Sequence, residues 1–232
     1  MTFRDHTLPE GKWEFNHAVT EVFDEMLERS IPDYEGMRDT TTELAVKFAQ
    51  PGTHIVDLGC SRGAALKPIH DVLERDVYYT GIEVSPPMLA AAITEIPFAD
   101  IFDTDLRHDY PAVDASVVLS VLTLQFIPIE YRQKIVSQVY NSLRPGGVFL
   151  LVEKILGRDS VTNELFIETY LDRKGANGYS QEEINRKRES LEGVLVPVTG
   201  LWNEDLLKLA GFSHVECYWR HLNFAAWIGI KE

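Results

Sequence analysis

Cysteine is scarce in this chain: Cys60 and Cys217 are the only two among 232 residues, far apart and without CxxC spacing. They offer neither a disulfide framework nor a zinc motif, and they fit free thiols in a reducing compartment. Positive charge is also short: 22 Lys and Arg stand against 36 Asp and Glu, a net charge of −14. Such a balance does not displace counterions from a nucleic acid or hold a chain on an anionic membrane. No direct nucleic-acid partner and no membrane are therefore expected. No apolar run approaches the ~18 residues of a membrane span. The start, Met1-Thr2-Phe3-Arg4-Asp5-His6, lacks the apolar stretch of a signal peptide. His70, His108, His214 and His221 have no ligand spacing, so no metal is expected. Repeats and low-complexity tracts are missing as well. The expectation is a soluble, cytoplasmic protein of one domain, 1–232, large enough to bury its own core.

What is present is alternation. Short β-rich runs at 54–58, 77–83, 99–102, 115–119 and 148–153 are separated by amphipathic stretches at 64–73, 87–94 and 129–143. That is the pattern of a parallel sheet wound with helices. Ile129, Ile135, Val136, Val139, Tyr140 and Leu143 share a helical face, and Pro145-Gly146-Gly147 stops that helix before Val148-Phe149-Leu150-Leu151-Val152. Pro68 predicts that the helix after the first strand begins late or bends. Helices are predicted at 16–29 and 36–49, within a helical cap spanning 1–52. A helical insertion at 154–200 carries two more, 158–173 and 181–192, and precedes a short helix near 204–209. The runs 215–219 and 224–230 complete the sheet as an antiparallel pair. The fold class is α/β, a doubly wound, mostly parallel, Rossmann-like sheet of seven strands. Insertions at the carboxyl ends of such strands are where ligands bind.

The first strand closes on Val56-Asp57-Leu58-Gly59-Cys60-Ser61-Arg62-Gly63. A glycine loop there lets backbone approach a ligand closely. Twenty-four residues after Gly59, the second strand ends in Gly81-Ile82-Glu83, where an acid can accept both hydroxyls of a ribose. Dinucleotides and S-adenosylmethionine both fit such a pair. Asp57 would repel a pyrophosphate and suits a ligand with a free ammonium group, which favours S-adenosylmethionine over NAD. After the third strand, Asp105 in Asp103-Thr104-Asp105-Leu106 is placed either to accept from an adenine amino group or to sit in a solvated loop. After the fourth strand, Ser120-Val121-Leu122-Thr123-Leu124-Gln125-Phe126 is either a wall beside the cofactor or plain core. Tyr179 and Trp202 fit an aromatic lid over a sulfonium, or packing. Glu182 and Glu183 precede Arg186 and Lys187 at i,i+4, the pattern of an exposed helix face.

Val56–Gly63, Glu83 with Ser85-Pro86, and Leu143-Arg144-Pro145-Gly146-Gly147 together resemble class I S-adenosylmethionine-dependent methyltransferases. A narrower resemblance covers nearly the whole chain. Val22-Phe23 to Ser30-Ile31-Pro32-Asp33-Tyr34, Gly59-Cys60-Ser61, Thr123-Leu124-Gln125-Phe126, Glu153-Lys154, Ala176-Asn177-Gly178-Tyr179-Ser180 and Lys187-Arg188 with Leu191-Glu192 are similar to the carboxy-S-adenosylmethionine synthase family. That resemblance implies conversion of S-adenosylmethionine and prephenate into carboxy-S-adenosylmethionine and phenylpyruvate, in service of a tRNA modification pathway. It implies a small anionic substrate and a homodimer. The family's cofactor contacts fall on Tyr34, Gly59, Cys60, Ser61, Glu83, Val84, Asp105, Leu106, Val121 and Arg188, to which the residue pattern adds Asp57. Arg188 is the implied catalytic residue, reading the carboxylate of the unusual cofactor, and the resemblance implies that it is lent to the neighbouring subunit's site. Two positions depart: the family has Asp where Glu83 stands, and Asn where Val121 stands, unless Ser120 replaces that amide. An ordinary methyltransferase using the same pocket, and a non-catalytic module that kept the fold, are the alternatives.

Overall fold

The computed structural model describes residues 5–232; Met1–Arg4, where the amino-terminal reading begins, lie outside it. Helix α1 (His17–Ser30) starts where Asn16 accepts the Val19 amide at 3.1 Å, and α2 (Tyr34–Phe48) follows Asp33, whose backbone is left-handed at φ 53°. Then come β1 (His54–Leu58), α3 (Leu66–Val72), β2 (Tyr78–Glu83), α4 (Pro86–Glu95), β3 (Asp100–Asp103), β4 (Ala115–Val121) and α5 (Ile129–Ser142). The chain continues as β5 (Leu143–Leu156), α6 (Ser160–Ala176), α7 (Gln181–Leu191), β6 (Val198–Thr199), α8 (Gly200–Ala210), β7 (His214–His221) and β8 (Phe224–Ile230). As its proline predicts, α3 starts late. Pro68 sits in its first turn, where a missing N–H deprives no carbonyl of a partner.

Seven strands run in the order β3-β2-β1-β4-β5-β8-β7, with the first five parallel and β8 antiparallel to both its neighbours. An eighth, the two-residue β6, adds to the end of β5 through Ile155 and Leu156 and is too short to leave a periodic signal. The strand expected at 148–153 begins at Leu143, which pairs with Ala115 before a register shift accommodates the proline-glycine turn. Both sheet faces are covered. Ile55, Val117, Leu119, Val148 and Leu150 pack against α2, α3 and α4, whereas Val56, Val118, Phe149 and Leu151 pack against α5 and α8. Each such side chain, at 0% exposure, contributes about 1.5–3 kcal/mol by leaving water.

The helical additions close one end of the sheet. Ile31, Tyr34 and Met37 pack with Val152, Tyr170 and Phe224, and Trp13, Val19, Phe23 and Met26 pack with Met88. These clusters lie over the carboxyl ends of the parallel strands. Strand order reverses between β1 and β4, and the crevice this leaves is the ligand position of open α/β sheets. Among the described residues no helix is long and apolar enough to cross a membrane. No group of three or more His, Cys, Asp or Glu is placed among them to hold a metal ion.

Candidate active site

A cavity of about 440 Å³ occupies that crevice. Its floor is the β1 loop. Gly59 (φ 73°), Ser61 (φ 49°) and Gly63 (φ 89°) all take left-handed backbone to turn the chain sharply. Glycine is required at 59 because a Cβ there would stand 2.5 Å from Thr123 Cγ2. The loop amides are already committed: Gly59 and Cys60 N–H donate to the Ile82 carbonyl at 2.8 and 2.9 Å, and Ser61 N–H donates to Glu83 Oε2 at 2.9 Å. They therefore do not form the cradle of free N–H groups that a pyrophosphate needs, and the choice against dinucleotides gains a geometric reason.

Asp57 projects from β1 into the cavity wall at 2% exposure, and its Oδ1 has no hydrogen-bond partner. Burial, reinforced by the Glu83 charge and opposed by Arg38, pushes its carboxyl up to about 7. Glu83 Oε1 accepts the Val84 and Ser85 amides, each at 2.8 Å, so three backbone N–H groups fix the carboxylate at the end of β2. The extra methylene relative to Asp lets the group fold back onto its own loop. Tyr34 and Arg38, from the first turns of α2, face the same end; Arg38 lies over the Tyr34 ring at 5.5 Å and donates to the Ala64 carbonyl.

Cys60, Val84, Asp105, Leu106 and Val121 also line the cavity. Asp105 is partly engaged: Arg107 binds it through Nε at 2.9 Å and Nη2 at 2.5 Å, which holds its carboxyl below the usual range. The residues after β4 divide between wall and core. Val121, Leu122, Thr123, Gln125 and Phe126 reach the cavity, with Leu122 in left-handed backbone at φ 60°. Ser120 does not reach it; its hydroxyl is buried without a partner, so it offers no substitute for an amide at Val121.

Ten of the eleven sequence-derived positions thus converge. Arg188 does not. It lies on the exposed side of α7, while Ile184, Lys187 and Ser190 point inward. Arg186 pairs with Glu182 at 3.1 Å, as i,i+4 spacing expects, but Glu183 closes the capping box with Ser180 and leaves Lys187 on the cavity wall. Tyr179 and Trp202 are outside the wall: Tyr179 donates to Asp5 at 2.5 Å, and Trp202 packs on the core beneath Arg132. Sequence patterning misses five cationic wall residues, Arg38, Arg107, Lys154, Lys174 and Lys187, because lysine and arginine ordinarily mark a solvated face.

A methyltransferase domain model matches residues 56–149. An O-methyltransferase family protein from Burkholderia thailandensis superposes with a TM-score of 0.66 at 19% identity, covering 94% of this chain and 61% of that one. Human N-acetylserotonin methyltransferase in complex with SAM gives 0.61 at 18%, covering 92% and 55%. The chain thus spans little more than half the length of these structural neighbours, which share its fold. The carboxy-S-adenosyl-L-methionine synthase of Methylococcus capsulatus is 38% identical over 224 residues, covering 94% of this chain and 93% of that protein. The chain belongs to the carboxy-S-adenosyl-L-methionine synthase family. That of Actinobacillus succinogenes is likewise 38% identical, covering 95% and 94%. This family member is accordingly a transferase dependent on S-adenosylmethionine, with the methyltransferase fold. Its cavity presents two different acids: a buried carboxylate at Asp57 whose Oδ1 has no partner, and one at Glu83 anchored by backbone amides.

Proposed function

We propose that this chain makes carboxy-S-adenosylmethionine from S-adenosylmethionine and prephenate, a small anion. The observation that carries the reading is 38% identity over 94% of the chain to a synthase of that name, joined to a cavity holding an orphaned acid. In that reaction the ring carboxyl of prephenate leaves as carbon dioxide with loss of the hydroxyl, the sulfonium methyl carbon yields a proton that joins the hydroxyl as water, and that carbon bonds to the carbon dioxide. Asp57 binds the cofactor's ammonium, Glu83 its ribose, and Asp105 with Leu106 its adenine. Tyr34, the loop Gly59-Cys60-Ser61, Val84 and Val121 shape the remaining contacts. Phe15, Phe23 and Phe126, whose rings meet edge to face at 6.1 and 5.0 Å, keep water from the reacting carbon.

The whole chain works as one domain, in the cytoplasm, as a homodimer without direct nucleic-acid contact, and its product feeds tRNA modification. Arg188 then acts on the neighbouring copy's cavity, for which its exposed position supports a role; guanidinium suits a carboxylate through paired hydrogen bonds. A second reading, ordinary methyl transfer, is favoured by one observation: the wall carries apolar Val121 where the family has an amide. Mass spectrometry of the small molecule released by denaturing the purified protein separates them. A species heavier than S-adenosylmethionine by one carbon dioxide is expected; plain S-adenosylmethionine or S-adenosylhomocysteine establishes the second reading. Arg188→Ala should abolish retention of the carboxylated species and weaken S-adenosylmethionine much less; equal loss of both refutes that role.

A further inference from the structure

Lys154, Lys174 and Lys187 come from β5, α6 and α7, yet all three line the cavity. Lys174 and Lys187 are 5% and 8% exposed. None of the three ammonium groups has a hydrogen-bond or ion-pair partner among the described residues. They touch aromatic rings instead. Lys154 and Lys174 stand 4.8 and 5.8 Å from the Tyr170 centroid, and Lys174 and Lys187 stand 4.7 and 5.9 Å from that of Tyr179. Each neighbouring pair shares a ring and is close enough for its charges to repel. The carboxylates nearby are committed: Asp5 accepts from Tyr179 and from the Thr7 amide, and Glu183 caps α7 and meets His6. Cation–π contact recovers only part of what it costs to bury a cation.

We propose that these three lysines are the subsite for the second substrate, a small dicarboxylate with an apolar carbon body. This rests on the carboxy-S-adenosylmethionine reading and assigns its anion to residues. Three point charges on three elements match two carboxylates on one short skeleton, and the Tyr170 and Phe224 rings beside them match the carbon between. The cofactor's own acids, Asp57 and Glu83, lie on β1 and β2, so the two ligands meet opposite charges. The lysines are prepared for this by desolvation, which brings Lys154 down to about 8 and, with repulsion from a neighbouring lysine added, Lys174 to about 8 and Lys187 to about 7. An arriving dianion reverses that penalty.

The test uses protein saturated with S-adenosylmethionine and titrated with phenylsuccinate, 3-phenylpropanoate or inorganic phosphate. Phenylsuccinate should bind about tenfold or more tightly than either of the others. Lys154→Met, Lys174→Met and Lys187→Met should each weaken it about tenfold or more, with S-adenosylmethionine affinity held within about threefold. Phenylsuccinate binding that survives the substitutions, equal loss of S-adenosylmethionine, or preference for phosphate overturns the subsite. Should a variant fail to fold, the unaltered protein decides. Brief acetic anhydride labelling, read by peptide mass spectrometry, should show phenylsuccinate protecting all three lysines but not exposed Lys47 and Lys67; absence of protection overturns the proposal. A carboxylated cofactor found in protein whose lysines are unprotected sinks the subsite and leaves the reaction standing. Protection without any carboxylated cofactor does the reverse.

Discussion

Asp57→Asn should make the cofactor-free protein more stable and the cofactor harder to hold. In the folded chain the Asp57 carboxyl is raised from 3.8 to about 7 by burial first and by Glu83 second. Holding it ionised therefore disfavours the fold by roughly 4 kcal/mol. A raised carboxyl favours the folded state at low pH, and that stability is lost as pH rises from about 4 through about 7. The amide does not titrate, but it leaves buried polar atoms unsatisfied at about 1–3 kcal/mol. The net gain at pH 8 is roughly 1–3 kcal/mol, an increase of about 3–10 °C in melting temperature for a chain of this size; at pH 5 the gain should be near zero. Cofactor binding moves the other way. Losing a charge-assisted contact should weaken S-adenosylmethionine about 10–100-fold. In the unaltered protein the dissociation constant should rise about tenfold per pH unit below 7, because the acid must then release a proton to bind. Thermal melts from pH 5 to 8 and calorimetric titration at the same pH values read both effects. A variant destabilised equally at both ends, or an affinity without slope below pH 7, refutes the assignment of Asp57 as the ammonium's partner.

Gly59→Ala forces a Cβ into left-handed backbone and against Thr123; a loss of about 2–4 kcal/mol is expected in chemical denaturation, part of it recovered by adding Thr123→Ala. Glu83→Gln sets an amide where three backbone N–H groups converge; calorimetry should show S-adenosylmethionine weakened about tenfold or more. Arg132, 1% exposed, donates to the Ile127 and Val196 carbonyls, each at 2.8 Å, and opposes the burial that raises Glu153 to about 8. Arg132→Met should cost about 3–5 kcal/mol in denaturant melts, and a change below about 1 kcal/mol refutes that account.

The order of elements was legible because it rests on local signals. Alternation at 54–58 and 115–119, the proline-glycine stop at 145–147 and the apolar run after it report burial on both faces of a parallel sheet. The end of the cavity proposed for the cofactor was legible, as a meeting of residues, for the same reason. Asp57, Gly59 and Glu83 belong to one strand-helix-strand unit, β1–α3–β2, and neighbouring parallel strands bring its acids together at their carboxyl ends. The short β6 and the early start of β5 were not, since both depend on pairing with a distant strand. The far end of the cavity was decided by tertiary structure alone. One residue along α7 is a turn of about 100°, and inward packing of Ile184 and Ser190 brings Lys187 to the cavity and turns Arg188 to solvent. Hydropathy places both on the surface. The ring of Trp13, from ahead of α1, and that of Tyr179 face the buried ammonium at 187, and Tyr170 faces both lysines beside it, with Phe224 from β8 at Lys154.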